Sequence, residues 1–174
     1  MAWIVNCLPH LQVLKDGIMT TETKQPEIDK LARIFEMQAD LNDYVFRKNG
    51  LTGRDGEPLT MASIFRDAGE GRLKVNELPN TWLSRYATAM KDELQELEDD
   101  LLWKWWSRDE IGLQNIRVEL IDILHFLVSA MICAGLTADK LFDVYSQKHA
   151  VNLKRQDDGY SRATKTEDDN RGIS

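Results

Sequence analysis

The sequence predicts an all-α fold, a bundle of four to five helices around one hydrophobic core. Turn residues are sparse, with 4 Pro and 10 Gly among 174 residues, whereas Leu, Ala, Met, Glu and Lys are frequent. Apolar residues recur at every third or fourth position along several stretches, which is the spacing of one helix face. A chain of this length needs only one core, so we expect a single domain over residues 1–160 and a flexible tail over residues 161–174.

Composition and charge argue against several classes of protein. The net charge of −7, with no basic cluster to offset it, argues against binding to nucleic acid or to an acidic membrane. Neither Cys7 nor Cys133 belongs to a CxxC or Cys/His pattern, so we expect reduced thiols and no zinc site. The N-terminus lacks the basic start of a signal peptide, and no apolar run reaches the length of a membrane span. These features favour a cytoplasmic protein.

The first helix is predicted from Pro26, a favoured first-turn residue, to Asn49-Gly50, after a weakly patterned arm over residues 1–24. Its apolar stripe comprises Ile28, Leu31, Phe35, Leu41 and Val45. Gln38 and Asn42 fall on the same side, so two amides face inward or toward a cleft. They are either polar residues at the edge of the stripe or, because amides carry paired donors and acceptors, groups that read the edge of a nucleobase.

Residues 50–80 are predicted to form a long connection with one short helix near Met61–Phe65. A connection of this length is often a lid or a subunit contact. Asn80 or Thr81 is then expected to cap a long helix that runs to about Trp106. The apolar side of this helix comprises Leu83, Met90, Leu94, Leu97 and Leu101.

Two further helices complete the predicted bundle. One spans about Leu113–Ala134 and ends at Gly135, and Thr137 caps the last, Ala138–Leu153. The first of the two is apolar nearly all round, so we expect it to be buried on every side. The core side of the last helix comprises Leu141, Phe142, Tyr145 and Val151.

Two acidic pairs carry the predicted chemistry. Glu93 and Glu96 lie three residues apart, as do Glu119 and Asp122, so each pair projects from one helix face. A bare carboxylate among apolar neighbours costs several kcal/mol unless something compensates it. Oxygen ligands without cysteine suit a hard cation, so we predict that Mg²⁺ or Mn²⁺ binds between two antiparallel helices. His125, one turn beyond Asp122, is more readily a hydrogen-bonded core histidine than a metal ligand.

Residues that precede and follow the acidic pairs along the chain are suited to binding a substrate that carries phosphate. Trp82 stands eleven residues before Glu93, very nearly three turns, and so lies about 16 Å away on the same face. Lys104, inside the cluster Trp103–Trp106, either belongs to a packing cluster or contacts phosphate. The polar and basic residues near the end of the last helix are Lys148, Asn152 and Arg155, with Tyr160 beyond them. This set permits a metal-held polyphosphate to be attacked by water that a carboxylate deprotonates.

The motifs, in their order along the chain, resemble those of a known family. They are MQADLN, Trp82, DELQEL, WKWW, ELIDILHF and the closing YSQKHAVNLKRQDDGY, and they span about residues 28–160. The chain resembles the all-α nucleoside triphosphate pyrophosphatases, which include MazG-type proteins and the dimeric dUTPases. Its ending looks like that of bacteriophage dCTPase/dUTPase-type proteins. An acidic pair alone is weak evidence, whereas the ordered set is specific.

The resemblance implies a Mg²⁺-dependent diphosphatase that hydrolyses a (d)NTP, most readily dUTP or dCTP, to (d)NMP and pyrophosphate. It implies the metal ligands Glu93, Glu96, Glu119 and Asp122, with Glu96 orienting or deprotonating the water. The residues implied at the base and sugar are Gln38, Asn42 and Trp82, and those implied at the phosphates are Lys148, Asn152, Arg155 and Tyr160. It also implies a homodimer or homotetramer whose subunits complete one another's sites, in the host cytoplasm if the chain is phage-encoded. Related folds accept purines, which leaves dGTP or GTP as the alternative substrate.

Two other classes of function fit parts of the pattern. Asp122-x-x-His125 is typical of di-iron helical-bundle oxidoreductases, but that architecture wants two Glu-x-x-His motifs and the sequence has one approximate copy. A non-catalytic interaction module would instead use the tryptophans as anchors for a partner.

Overall fold

The computed structural model describes residues 29–102, 106, 108, 110, 112–159 and 170–173. These residues form five helices, which are α1 (Lys30–Lys48), α2 (Met61–Gly69), α3 (Leu78–Asp100), α4 (Leu113–Cys133) and α5 (Ala138–Asp157). The described residues contain no strand, and their one isolated bridge joins Thr52 to Pro58. The predicted all-α fold is therefore confirmed. The predicted arm, Pro26, Ile28 and residues 161–169 of the predicted tail lie outside the described residues.

The first two helices begin and end at the signals that the sequence contains. The Asp29 carboxylate accepts hydrogen bonds from the first-turn amides of α1, and Gly50, with φ of +62°, follows its last turn. Thr60 and Ser63 form a capping box at the start of α2. Asp43 accepts a 2.6 Å hydrogen bond from the Met61 amide and so ties α1 to α2. The prediction of one short helix within residues 50–80 is confirmed.

The predicted bounds of α3 are wrong at both ends. The helix begins at Leu78 rather than at Asn80 or Thr81, because Pro79 occupies the first turn, where the missing amide hydrogen costs nothing. It ends at Asp100 rather than near Trp106. The last turns of α3 are acidic and contain no basic residue, and the negative end of the helix dipole disfavours that arrangement.

The helices α3 and α4 pack antiparallel and form the main contact of the fold. Glu93 lies beside Glu119 at one end of the pair, and Tyr86 lies 6.3 Å from Phe126, between ring centroids, nearer the other end. The end of α4 near Gly135, whose φ is +76°, agrees with the prediction within one residue, and Thr137 caps α5 as predicted. The buried hydrophobic core comprises Phe35, Phe46, Leu59, Met61, Ile64, Tyr86, Val128, Ala130, Ile132, Cys133 and Ala138.

Cys133 is a free, fully buried thiol, and burial raises its pKa to about 12. This agrees with the predicted reduced thiol. Cys7 lies outside the described residues.

Much of the predicted core surface is exposed in the single chain. The expectation that α4 is buried on every side is wrong, because α1, α2 and α3 cover it only in part and Ile121 remains 52% exposed. The same correction applies to predicted core positions on the other helices, which are Leu41, Val45, Leu94, Leu101, Phe142 and Tyr145. Apolar spacing identifies the residues that favour burial, but the five described helices do not cover all of them.

In the described part of the chain, no single helix is long and apolar enough to cross a membrane. The pair α4 and α5 meets the length and composition test only when taken together, with a 99° bend between the two helices.

Candidate metal centre

The antiparallel packing of α3 and α4 brings the two predicted acidic pairs together. One carboxylate oxygen from each of Glu93, Glu96 and Glu119 lies within 4.8 Å of the others. Asp122 is not part of this closest group, but its charge acts on both Glu93 and Glu119. Three of the four predicted ligands therefore converge directly, and the fourth lies beside them.

The carboxylates destabilise one another's charged forms. Desolvation raises the pKa of Glu93, and the charges of Glu96, Asp122 and Glu119 raise it further. Desolvation likewise raises the pKa of Glu119, with the charges of Glu96 and Asp122 adding to it and a hydrogen bond to Glu93 opposing it. Such mutual repulsion is relieved by protons or by a cation.

The donor set fits a hard divalent cation. Glu119 Oε2 is fully buried and has no hydrogen-bond partner, although a buried carboxylate oxygen normally has one. A cation held by this oxygen and by Glu93 and Glu96 would satisfy it. The converging atoms are all carboxylate oxygens, which Mg²⁺ and Mn²⁺ prefer.

We predict that the metal-free protein loses stability as the pH rises from mild acid to neutral. A carboxyl group with a raised pKa in the folded state stabilises the fold below its unfolded pKa, and this contribution is lost as the pH rises through the raised value. Glu119→Gln removes one of the repelling charges, so it should raise the melting temperature at neutral pH in the presence of a chelator.

Thermal unfolding with a chelator, followed from about pH 5 to 7.5, measures this effect across the range above the unfolded carboxylate pKa. Glu98→Gln is the control for the change of charge, since Glu98 lies on α3 with Glu93 and Glu96 but projects away from Glu96 and is outside the converging group. A melting temperature that is unaffected by Glu119→Gln would contradict the proposed repulsion.

The two amides predicted on the stripe of α1 point inward and are buried. Gln38 Nε2 and Asn42 Nδ2 each donate a 2.9 Å hydrogen bond to the Ser129 hydroxyl. Gln38 Oε1 lies 2.5 Å from His125 Nδ1. His125 is therefore hydrogen-bonded, as expected, but it is exposed and is not a core residue. It is not in the carboxylate cluster, so the single Asp-x-x-His pair does not assemble the ligand set of a di-iron centre.

Ser129 is the residue of this network that the sequence analysis missed. A signal was present, because Ser129 follows Asp122 by seven residues and His125 by four and so lies on the same face of α4. A serine among apolar residues is too common to single out without knowing that Gln38 and Asn42 lie opposite it.

Trp82 lies on the predicted face of α3 and is half-buried. Its ring centroid is 4.5 Å from that of Phe46, and the Arg85 guanidinium carbon lies 4.5 Å from its ring centroid. The indole is therefore held in place by an aromatic contact and by a cation–π contact.

The helix that carries most of the predicted phosphate end packs against neither acidic helix in the described part of the chain. Lys148, Asn152 and Arg155 are on α5, which packs against α1 and not against α3. Lys148 Nζ donates to Asn170 Oδ1 in the described end of the tail. Lys104, Tyr160, Trp103 and Trp105 lie outside the described residues.

An apolar cleft of about 340 Å³ runs between α1 and α4 and includes two residues of the polar network. Its lining comprises Ile34, Met37, Gln38, Leu41, Ile121, Leu124, His125 and Val128. Ile121 of this lining lies between Glu119 and Asp122 in sequence, and His125 follows Glu119 by six residues, about 9 Å along α4, so the cleft begins beside the carboxylates.

The chain is similar to known proteins over the part that contains these helices. A family model described as dUTPase matches residues 30–137, which cover α1 to α4. The dCTP pyrophosphatase of Enterobacteria phage T4 is 26% identical over 106 residues, 61% of this chain and 56% of the relative. The dCTP pyrophosphatase of Enterobacteria phage LZ5 is 30% identical over 90 residues, 52% of this chain and 46% of the relative.

A DNA replication protein of Enterobacteria phage T4 is 24% identical over 105 residues, 59% of this chain and 24% of that protein. The chain thus spans about half the length of the two dCTP pyrophosphatases that it matches. No solved structure shows significant similarity to it.

Proposed function

The chain belongs to the dUTPase family, and on that premise we propose that it is a Mg²⁺-dependent nucleoside triphosphate diphosphatase that produces a (d)NMP and pyrophosphate. The observation that carries this proposal is the convergence of Glu93, Glu96 and Glu119 around a buried, unpartnered carboxylate oxygen. Mn²⁺ is expected to support the same reaction in place of Mg²⁺, because both ions take oxygen ligands.

The proposed substrate is dCTP or dUTP. Two of the relatives are dCTP pyrophosphatases of phages, and the matching family is described as dUTPase. The cleft between α1 and α4 supports a small base, because it is mostly apolar and carries only Gln38 and His125 as polar groups. A purine nucleotide, dGTP or GTP, remains the alternative for the same reaction.

Glu93, Glu96, Glu119 and Asp122 are the proposed ligands, and bound Mg²⁺ would neutralise phosphate charge. Glu96 is the exposed member of the converging group. Water therefore reaches Glu96 most easily, which supports Glu96 as the residue that orients water and accepts its proton. Glu93 and Glu119 are half-buried and serve as fixed ligands.

The nucleotide is proposed to extend from a base end to a phosphate end. Gln38, Asn42 and Trp82 are the residues proposed for the base end. Gln38 lines the cleft, and Asn42 is hydrogen-bonded to Gln38 and Ser129 behind it. The proposed phosphate contacts are Lys104, Lys148, Asn152, Arg155 and Tyr160. Because α5 does not pack against α3 in one chain, we propose that the α5 contacts come from a second subunit.

A homodimer or homotetramer is proposed for the same reason. The exposed apolar residues of α1 and α4 form an unusually apolar surface for a monomer, and a second copy would cover it. The candidate residues lie on these two helices outside the cleft, and they are Tyr44, Val45, Val118, Leu120 and Leu127.

Substrate profiling tests the proposed reaction. Each common ribonucleoside and deoxyribonucleoside triphosphate, together with dUTP, is incubated with the protein and Mg²⁺. We expect (d)NMP and pyrophosphate from dCTP or dUTP, and no turnover in a chelator. Release of orthophosphate instead of pyrophosphate would contradict the mechanism. If the protein hydrolyses no nucleotide, and neither Mn²⁺ nor a nucleotide raises its melting temperature, the protein is a non-catalytic helical module.

A further inference from the structure

Ser129 is fully buried and is the centre of a hydrogen-bond network that joins α1 to α4. Its hydroxyl accepts hydrogen bonds of 2.9 Å from Gln38 Nε2 and 2.9 Å from Asn42 Nδ2, and it donates a 2.8 Å hydrogen bond to the His125 carbonyl oxygen. A hydroxyl has one donor and two acceptor positions, so these three contacts are enough to occupy all of them. The Tyr86 phenol also lies within hydrogen-bonding reach of Ser129, but its hydroxyl donates to Met61 Sδ. The Ser129 side chain has no exposed area.

These contacts leave only one consistent orientation for the two amides. With both nitrogens toward Ser129, Asn42 Oδ1 accepts a 3.3 Å hydrogen bond from Gln38 Nε2. If the Gln38 amide were reversed, its oxygen would face two other oxygens, those of Asn42 and Ser129. The Ser129 hydroxyl could not donate to it, because its proton is already donated to the His125 carbonyl oxygen. Buried acceptors without donors are costly, so Ser129 holds Gln38 in the orientation that places its oxygen toward His125.

The orientation of Gln38 in turn sets the tautomer of His125. Gln38 Oε1 lies 2.5 Å from His125 Nδ1 and can only accept, so Nδ1 carries the proton in the neutral ring. Nε2 is then an acceptor. Because His125 lines the cleft between α1 and α4, the tautomer decides what that part of the cleft presents to a ligand.

We propose that Ser129 is a positioning residue that fixes the base preference of this protein by locking Gln38 and, through it, the His125 tautomer. This inference rests on the proposed function, with the nucleotide base in the cleft. Cytosine carries an amino donor where uracil and thymine carry a carbonyl acceptor. A cleft whose donors and acceptors are locked discriminates between these bases, whereas one in which Gln38 and His125 can reverse accepts both.

Two measurements on Ser129→Ala test the proposal. The first is kcat/KM for dCTP and for dUTP, by pyrophosphate release. We expect the ratio of the two values to move toward one by about tenfold, mainly through KM, because one matched base contact gives discrimination of this order. The second is the nitrogen chemical shifts of His125 by NMR, which should change from the Nδ1–H tautomer to a mixture.

Two further variants separate positioning from general destabilisation. Ile132→Val removes a methylene from a buried residue of α4 that makes no hydrogen bond to the network, so it should leave the ratio unchanged. Ser129→Cys keeps the shape with a much weaker donor and acceptor, and we expect an intermediate ratio. It also carries the test if Ser129→Ala does not fold.

An unchanged dCTP/dUTP ratio in the folded Ser129 variants would overturn the proposal, as would an unchanged His125 tautomer. A wild-type protein that releases pyrophosphate from no nucleoside triphosphate would instead overturn the proposed function. The NMR measurement needs no turnover, so it still decides whether Ser129 locks the tautomer.

Discussion

Glu96→Gln is expected to reduce pyrophosphate release by about 10²- to 10⁴-fold while leaving the fold intact, because a positioned general base contributes about that much. The glutamine keeps the size of the side chain but cannot take the proton of the attacking water. Glu96 is exposed, so the substitution disturbs no core contact. It also removes one repelling charge from the cluster, so the melting temperature of the metal-free protein should not fall.

Glu98→Gln is the matched control for this loss. It makes the same change of charge on the same exposed helix, two residues away and outside the converging group. We expect its activity to stay within about twofold of wild type, as for surface substitutions away from a site. Full activity in Glu96→Gln would remove Glu96 as the base and leave Glu93 as the candidate.

The carboxylate centre could be predicted from the sequence because helical spacing and charge both constrain it. Three-residue spacing places Glu93 with Glu96, and an acid among apolar neighbours, as at Glu119, requires compensation. Residue spacing does not predict how far two helices are shifted along their axes relative to each other, because that shift depends on the packing between α3 and α4. The structure shows this shift and places Glu119 opposite the first pair, with Asp122 just beside it.

The polar network could be predicted only in part. Gln38 and Asn42 were visible as polar residues on an apolar stripe, but the interpretation as base-reading amides did not reveal that each is paired with Ser129. Their partner lies about ninety residues away in sequence, and contacts of that kind depend on tertiary structure, which local periodicity does not contain.

The outer surface of the bundle was the least predictable part. Periodicity identified Leu41, Phe142 and Tyr145 as core residues, yet all three are exposed in the single chain. Apolar spacing shows that a helix face favours burial. It does not distinguish a face that is buried within the chain from one that is buried by another copy, because both have the same spacing. The exposed residues are thus where intrachain packing ends and the proposed subunit contact begins.

Leu127→Glu is expected to convert the protein to a monomer and to abolish most of its activity. Leu127 is 37% exposed in the single chain and lies on the apolar surface of α1 and α4, outside the lining of the cleft. A carboxylate placed in a desolvated subunit contact without a partner costs on the order of 3 kcal/mol, which weakens association about a hundredfold. Activity should fall with it, because the phosphate contacts proposed on α5 would no longer reach the carboxylates of another subunit. Light scattering and pyrophosphate release measure the two effects.

Val75→Glu is the control, since it places the same charge at a residue that is 79% exposed in the connection between α2 and α3. It should remain oligomeric and active.

Co-expression of Glu96→Gln with Lys148→Ala separates loss of association from loss of a site. If α5 acts on the partner's carboxylates, mixed oligomers contain one site with both Glu96 and Lys148, and activity should return above that of either variant alone. A wild-type protein that is monomeric and fully active would contradict the shared site and leave the apolar surface without a role in catalysis.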